Sequence, residues 1–328
     1  MKILITGGNG FIGSHVVKRM VSEGHEVNVL VRKTSDLSLL KDLPVRYFYG
    51  DITLFPTLEP AVKGVDKVIH VAGLAADWGP YDLFEKINYK GTINVAKAAA
   101  AAKVLRFVYI STVAFHGFGK INVKEDDPPA ENLIPYAETK WMAEKWLWEY
   151  AKVVPMEISA VRPGNVFGIN DHTFISKYIQ AMLKGKFAEI NHGKAKTCPV
   201  YVDNLVDIIS LALHEPKAAG QAYLATDGLD ITWHEFNTEL ARHLKIPAEF
   251  SSIPYGLAMT AARLYYGFHR LFKIKSEPFL TPYRVNNGGL DYHFSIEKLK
   301  DHFGYQPRIK LETAMEKTVD WYQTKFLN

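Results

Sequence analysis

Thr6-Gly7-Gly8-Asn9-Gly10-Phe11-Ile12-Gly13 follows the apolar run Ile3-Leu4-Ile5 and precedes a segment with apolar residues at Ile12, Val16, Val17 and Met20. Two periodicities meet there: Lys2 to Thr6 reads as a short buried strand, and Ile12 to Ser22 has the three- and four-residue spacing of a helix. Gly7, Gly10 and Gly13 therefore fall in a strand-to-helix turn. Bare backbone at such a turn can approach a pyrophosphate, and the helix N-terminus offers N–H groups and the positive end of its dipole. Gly7, Gly10, Phe11, Ile12 and Gly13 are the candidate diphosphate contacts.

Outward from this turn the alternation continues. Strands are predicted at Glu26 to Val31, Val45 to Tyr49, Asp66 to Val71, Leu105 to Ile110 and Met156 to Val161. Between them lie a proline-broken helix at Leu54 to Val62 and longer helices at Tyr81 to Ala102 and Pro135 to Tyr150. Strand and helix taken in turn predict an α/β fold, a Rossmann-type doubly wound parallel sheet. After Arg162-Pro163-Gly164 the pattern becomes mainly helical, with strands expected only near Pro199 to Val202 and Gln221 to Ala225. This predicts a dinucleotide-binding domain at 1–168, rejoined by 200–228, and a smaller mixed lobe at 169–199 and 229–328 that binds substrate.

Composition narrows the function. Thirty-nine basic residues against 35 acidic, dispersed along 328, give no basic patch and no case for a nucleic-acid partner. Cys198 is the sole cysteine, which excludes an intrachain disulfide and fits a reducing cytoplasm. Neither His-x-x-x-His nor Cys-x-x-Cys spacing is present, so no metal is expected. The three-residue apolar run at the N-terminus is too short for a signal peptide or a spanning helix, so a cytoplasmic protein is expected.

Cofactor choice is read at the end of the second strand, where Val31-Arg32-Lys33 offers cations and no carboxylate before Asp36. Arginine is the natural bidentate partner of a 2′-phosphate, so NADP(H) is the expected cofactor, with NAD(H) the alternative. Asp51 and Ile52 close the third strand, where Asp51 can face the adenine edge or serve as a turn or cap residue. Tyr136 and Lys140, four residues apart, share one helical face. An ammonium beside a phenol favours phenolate, so Lys140 is expected to draw the Tyr136 pKa from about 10 toward neutrality. A phenol so tuned can move protons.

These residues together resemble the extended (atypical) short-chain dehydrogenase/reductases of the NAD-dependent epimerase/dehydratase superfamily. Besides the glycine turn, the resemblance rests on His70-Val71-Ala72-Gly73, Asn88-Tyr89-Lys90-Gly91-Thr92, Ile110-Ser111-Thr112, Tyr136 to Lys140 and Arg162-Pro163-Gly164-Asn165-Val166-Phe167-Gly168, in order along the chain. It implies that Thr112, Tyr136 and Lys140 are catalytic, with Thr112 rather than Ser111 in the hydroxyl role by counting back from Gly117. It also implies that Ala72, Tyr136, Pro163 and Val166 line the cofactor, that Lys140 binds its ribose, and that the protein is a homodimer. Asn88 is expected to stabilise the geometry behind the site. His70 and His116 are expected to be ordinary polar neighbours.

Val113 follows Thr112 where the family's dehydratases resemble one another in having an acid, which argues against dehydration. Lys194 to Asp203 has lysines and no arginine, which weakens a sugar-nucleotide substrate. Asp77 to Tyr81, Leu280 to Val285, Asp291 to Ser295 and Phe303 to Pro307 look most like the 3β-hydroxysteroid dehydrogenase and dihydroflavonol reductase branch. That likeness implies hydride transfer between nicotinamide and a bulky apolar 3-keto or 3-hydroxy compound: sterol-like, a 2-alkyl-3-keto acid or dihydroflavonol-like. Nucleotide-sugar epimerisation with bound NAD, and a nonenzymatic dinucleotide-binding redox sensor, are the alternatives. Tyr255 to Phe272 reads as a helix with Leu257, Ala261, Leu264, Tyr265, Phe268 and Phe272 on one side. That stripe fits core packing, a substrate lid or peripheral membrane contact through 255–273.

Overall fold

The protein is described by a computed structural model covering residues 1–274 and 276–327, so Lys275 and Asn328 of the expected substrate lobe lie outside the described residues. Seven parallel strands form the main sheet in the order Ala222–Ala225, Glu157–Pro163, Arg106–Ile110, Lys67–His70, Lys2–Thr6, Glu26–Val31 and Val45–Tyr49. The order reverses between Lys2–Thr6 and Lys67–His70, so the crevice of a doubly wound sheet opens beyond their carboxyl ends.

Buried aliphatic residues on both faces of each inner strand explain why the sheet is covered twice. On one face Ile3, Ile5, Val29, Val108 and Val161 pack with Val16, Val17 and Met20 of the Phe11–Ser22 helix and with Leu205, Ile208 and Ile209 of the Val202–His214 helix. On the other face Leu4, Val68, Phe107 and Ile158 meet Val95, Ala96 and Ala99 of the Gly91–Ala101 helix and Ala143 and Leu147 of the Pro135–Ala151 helix.

The expected long helix at 81–102 is present, with its middle wound more loosely. Residues Tyr81–Phe84 and Gly91–Ala101 are α-helical, and Glu85–Lys90 between them forms a π turn. A single wide turn inserts one residue and leaves the 3.6-residue hydrophobic period legible, which hides it from sequence reading. The expectation of only two strands beyond Gly164 is corrected. Asn165–Phe167 pairs with Pro199–Tyr201, Ala188–Ile190 with Ser251–Ile253, and Tyr292–Phe294 with Lys120–Val123. Strands of three or four residues carry too little periodicity to register, and partners far along the chain hold them.

A third core, with Phe167, Ile175, Tyr201, Trp233, Phe236, Leu240, Met315 and Tyr322, joins the helices Ile175–Leu183, Trp233–Leu244 and Leu311–Phe326. Asn204, fully buried, links this region to the sheet side. Its Nδ2 donates to Asp227 Oδ1 at 2.9 Å and to the Ile309 carbonyl at 2.8 Å, while its Oδ1 accepts from Ile309 N at 3.0 Å. Asn204→Ala leaves three buried groups without partners, and a loss of about 3 kcal/mol in urea unfolding is expected.

Candidate active site

Gly7 sits at φ +70, and a Cβ there would lie 2.7 Å from the backbone nitrogen of Ala72. At Gly13 a Cβ would come within 2.0 Å of the Gly7 carbonyl oxygen. These two glycines let the first turn press against both the neighbouring strand end and its own helix. Gly10 is different: a Cβ would meet only the Gly7 carbonyl, at 3.4 Å, and otherwise points into open space. The Phe11–Ser22 helix starts there with no side-chain cap and no acid in its first turn. An uncapped helix N-terminus behind a glycine that the protein's own packing does not demand is a fit for a diphosphate.

The crevice over this turn is a cavity of about 760 Å³. Its walls include Gly7, Gly10, Phe11, Ile12, Gly13, Arg32, Asp51, Ile52, Ala72, Thr112, Tyr136, Lys140, Pro163 and Val166. Lys33 is exposed and is not part of the wall. Among the described residues the Arg32 guanidinium has no hydrogen-bond or ion-pair partner, although its backbone N–H donates to Ser35 Oγ at 3.1 Å. Asp51 serves a turn as well as the wall, its Oδ1 accepting from Thr53 N at 2.8 Å.

Tyr136, Lys140 and Glu144 mark successive turns along one face of the Pro135–Ala151 helix. Lys140 is buried, with Nζ donating to the Ile110 carbonyl at 2.5 Å and lying 4.1 Å from the centre of the Tyr109 ring. Burial lowers its pKa to about 7, against the opposing pull of the Glu144 charge. Glu144 is held by Arg162, whose Nη2 approaches Glu144 Oε1 at 2.6 Å.

The expected effect of Lys140 on the phenol is not what the geometry gives. Burial raises the Tyr136 pKa above 10, and the facing Thr112 hydroxyl offsets this in part. The ammonium is spent on the Ile110 carbonyl and the Tyr109 ring, and is itself near half-ionised at neutrality. Tyr136 is therefore a protonated phenol at pH 7, in the form that donates. Thr112 Oγ1 accepts from Ala114 N at 3.1 Å, which fixes the hydroxyl at the strand end.

His70 and His116 are neutral, both lowered to about 3 by burial, with Lys140 beside the first and Arg162 beside the second. His70 Nδ1 lies 2.6 Å from Thr6 Oγ1, and Nε2 lies 3.0 Å from Thr92 Oγ1. Thr92 already donates to the Asn88 carbonyl at 2.6 Å, so it accepts from His70, which assigns the proton to Nε2. Asn88 clamps Leu74 by its backbone, accepting from Leu74 N at 2.7 Å and donating to Leu74 O at 3.1 Å. That wall of the cavity is shaped from behind.

Ser111, passed over in sequence for Thr112, also lines the cavity, with a buried Oγ that has no partner among the described residues, a second orphan that fits a bound polar ligand. The Glu144–Arg162 pair beneath Lys140 was foreshadowed only by the i+4 spacing. Away from the cavity, at the opposite end of the first helix, Glu23 Oε2 lies 3.5 Å from His25 Nε2 and 3.3 Å from His214 Nε2. This grouping joins distant segments, so no local spacing announces it.

Residues 3–225 match the NAD dependent epimerase/dehydratase family. The human sterol-4-alpha-carboxylate 3-dehydrogenase, decarboxylating, is 31% identical over 97% of this chain and 87% of its own length. The 2-alkyl-3-oxoalkanoate reductase of Stenotrophomonas maltophilia (strain K279a) is 28% identical over 97% of this chain and 98% of its own. A crystal structure of gox2253 superposes with a TM-score of 0.84 at 26% identity, covering 99% of this chain and 98% of that one.

Lys140 ties the site to stability through pH. Its folded pKa, about 7, lies below the ordinary 10.5, so the folded state disfavours the proton and stability is lost as pH falls from 10.5 toward 7. Lys140→Met should remove that slope. In urea titrations across this range, the wild-type midpoint relative to the variant is expected to fall with falling pH and to level off below about 7.

Proposed function

This chain belongs to the NAD-dependent epimerase/dehydratase family of extended short-chain dehydrogenase/reductases and is an NAD(P)-dependent oxidoreductase, and from that premise we propose that it reduces a bulky apolar 3-keto compound, or oxidises the matching alcohol, with NADP(H). The observation that carries the proposal is the convergence of a protonated Tyr136, the facing Thr112 hydroxyl and the buried Lys140 in one cavity with the glycine turn. A nicotinamide dinucleotide held there supplies or accepts the hydride. The backbone at Gly7, Gly10 and Gly13 takes its diphosphate, Phe11 and Ile12 contributing the first N–H groups of the helix. Arg32 meets the 2′-phosphate, with Lys33 adding positive field from outside the wall. Asp51, Ile52 and Ala72 border the adenosine, and Pro163 and Val166 border the nicotinamide side.

In reduction, the Thr112 and Tyr136 hydroxyls hold the carbonyl oxygen and Tyr136 passes its proton to that oxygen as the alcohol forms. Lys140 binds ribose, and the phenolate that remains regains its proton from solvent. Leu133, Ile134, Trp141 and Tyr283 pack with Tyr136 against the buried Ala114, Phe115 and Ala137, and Leu74 and Leu83 line the cavity wall, surroundings that suit an apolar substrate. Two relatives point the same way by their named substrates, a sterol carboxylate and a 2-alkyl-3-oxoalkanoate. The proposal also includes the division into 1–168 with 200–228 for cofactor and 169–199 with 229–328 for substrate, and assembly as a homodimer.

Screening NADPH oxidation against 3-keto steroids, 2-alkyl-3-keto acids, dihydroflavonols and UDP-sugars tests the substrate class. Tyr136→Phe should lower kcat/KM on the responding ketone about 100- to 10,000-fold while leaving NADPH binding intact. Arg32→Ala should weaken NADPH binding about 10- to 100-fold and leave NADH within about twofold, read by quenching of protein fluorescence. Equal losses for both cofactors would remove the NADP(H) assignment.

A further inference from the structure

The Tyr255–Leu271 helix packs the wrong way round for its composition. It buries two alanines, Ala258 and Ala262, with Met259 and His269, against Val285 and Leu280 of the following segment. The apolar stripe foreseen for it faces solvent: Leu257 is 65% exposed, Leu264 71%, Phe268 52%, Leu271 76% and Phe272 61%. Ala261 and Tyr265 complete this face, and Phe279, in the loop that follows, is 78% exposed. Core packing of the stripe, one of the three uses left open by the sequence, is thereby excluded. Apolar residues recurring at i, i+4, i+7, i+11 and i+14 on an unpartnered helix need a partner that is itself apolar.

Charge decides which partner. From Phe250 to Ser276 the sequence contains no Asp or Glu, while Arg263, Arg270, Lys273 and Lys275 fall within it. Arg263 and Arg270 are exposed and seven residues apart, so they run along one flank of the stripe. A second copy brought antiparallel against this face, by a twofold axis across the helix, would set these cations side by side with their own images, and the face offers them no acid in any pairing. An anionic lipid surface instead accepts the apolar residues in its acyl region and the cations among its headgroups. No described helix is long and apolar enough to cross a membrane, so the contact is one of lying on the surface.

We propose that the Tyr255–Leu271 helix docks this protein on an anionic lipid bilayer, with the substrate side of the cavity turned toward it. The position of the helix gives the second part, which rests on the apolar-substrate reading above. The wall segment Gly73-Leu74-Ala75 runs on to Asp77 and Trp78. Trp78 meets Tyr266 edge-on at 4.9 Å and His269 at 5.9 Å. Asp77 accepts from Arg284 Nη2 at 2.9 Å and from Thr281 Oγ1 at 2.5 Å, both in the segment packed beneath the helix. The docking face and the cavity wall are thus joined by direct contacts, and an apolar substrate dissolved in lipid would reach the cavity without crossing water.

The test uses the full chain, without substrate, and sedimentation with vesicles of phosphatidylcholine containing about a third phosphatidylglycerol. Wild-type protein is expected to pellet with these vesicles, and about 10-fold less with phosphatidylcholine alone or in high salt. Leu264→Glu with Phe268→Glu, both at exposed positions, should abolish pelleting while NADPH binding is unchanged. Arg263→Glu with Arg270→Glu should lower pelleting about 10-fold or more. Wild-type protein left in the supernatant, or equal pelleting of the Leu264/Phe268 variant, overturns the proposal. So does a dimer that this variant converts to monomer in sedimentation velocity, since the face then belongs to a second copy. Vesicle binding with no ketone reduced upholds the docking and removes the substrate reading; turnover of a dispersed ketone with no vesicle binding does the reverse.

Discussion

The site is organised by one buried cation. Lys140 has left water for a position between the Ile110 carbonyl and the Tyr109 ring, at the carboxyl end of the inner strand Arg106–Ile110. A lone ammonium is costly to bury, so its surroundings must be arranged to hold it. Glu144 one turn below supplies the compensating charge, and Arg162 at the end of the next strand holds Glu144 in turn. This chain of contacts fixes the Pro135–Ala151 helix against two strands. Tyr136, one turn above, is positioned as a result.

The same arrangement sets the protonation states. Burial that depresses the amine elevates the phenol, since each disfavours its charged form. The intuitive role of the lysine, drawing the phenol toward phenolate, is outweighed here by desolvation of the phenol itself. The two histidines near the site are neutral for the same reason, which leaves Tyr136 as the proton carrier of the proposed reaction. Around this centre the sheet provides the cofactor crevice, and the wall segment that begins beside the glycine turn at Ala72 runs on to Asp77 and Trp78, which contact the 266–284 region.

Much of this is legible in the sequence. The glycine spacing between Ile5 and Ile12, and the alternation of apolar strand and helix through Val161, anticipated the seven-stranded parallel sheet because its inner strands are buried on both faces. Tyr136, Lys140 and Thr112 stood out by spacing and by resemblance, and they line one cavity. What was not legible depends on distance or on subtle backbone geometry. The short strand pairs beyond Gly164 join segments up to 172 residues apart, as in Tyr292 beside Lys120, and the π turn around Asn88 leaves the helical period intact. The stripe on the Tyr255–Leu271 helix was visible as a stripe, but an amphipathic pattern does not state which face is inward. Small residues at Ala258 and Ala262 allow close approach to the helix below, and that packing turned the large side chains outward.

The central claim is that a protonated Tyr136 completes hydride delivery to a ketone. It is tested most directly by a single turnover with NADPH deuterated at nicotinamide C4 and a bulky apolar 3-keto compound, followed by mass spectrometry of the alcohol. The expected result is one deuterium on the carbinol carbon for each NADPH oxidised, when the hydride of the labelled face is transferred, and none with Tyr136→Phe on the same timescale. Purified protein that retains NAD, transfers no label to any 3-keto compound and interconverts UDP-sugars would contradict it.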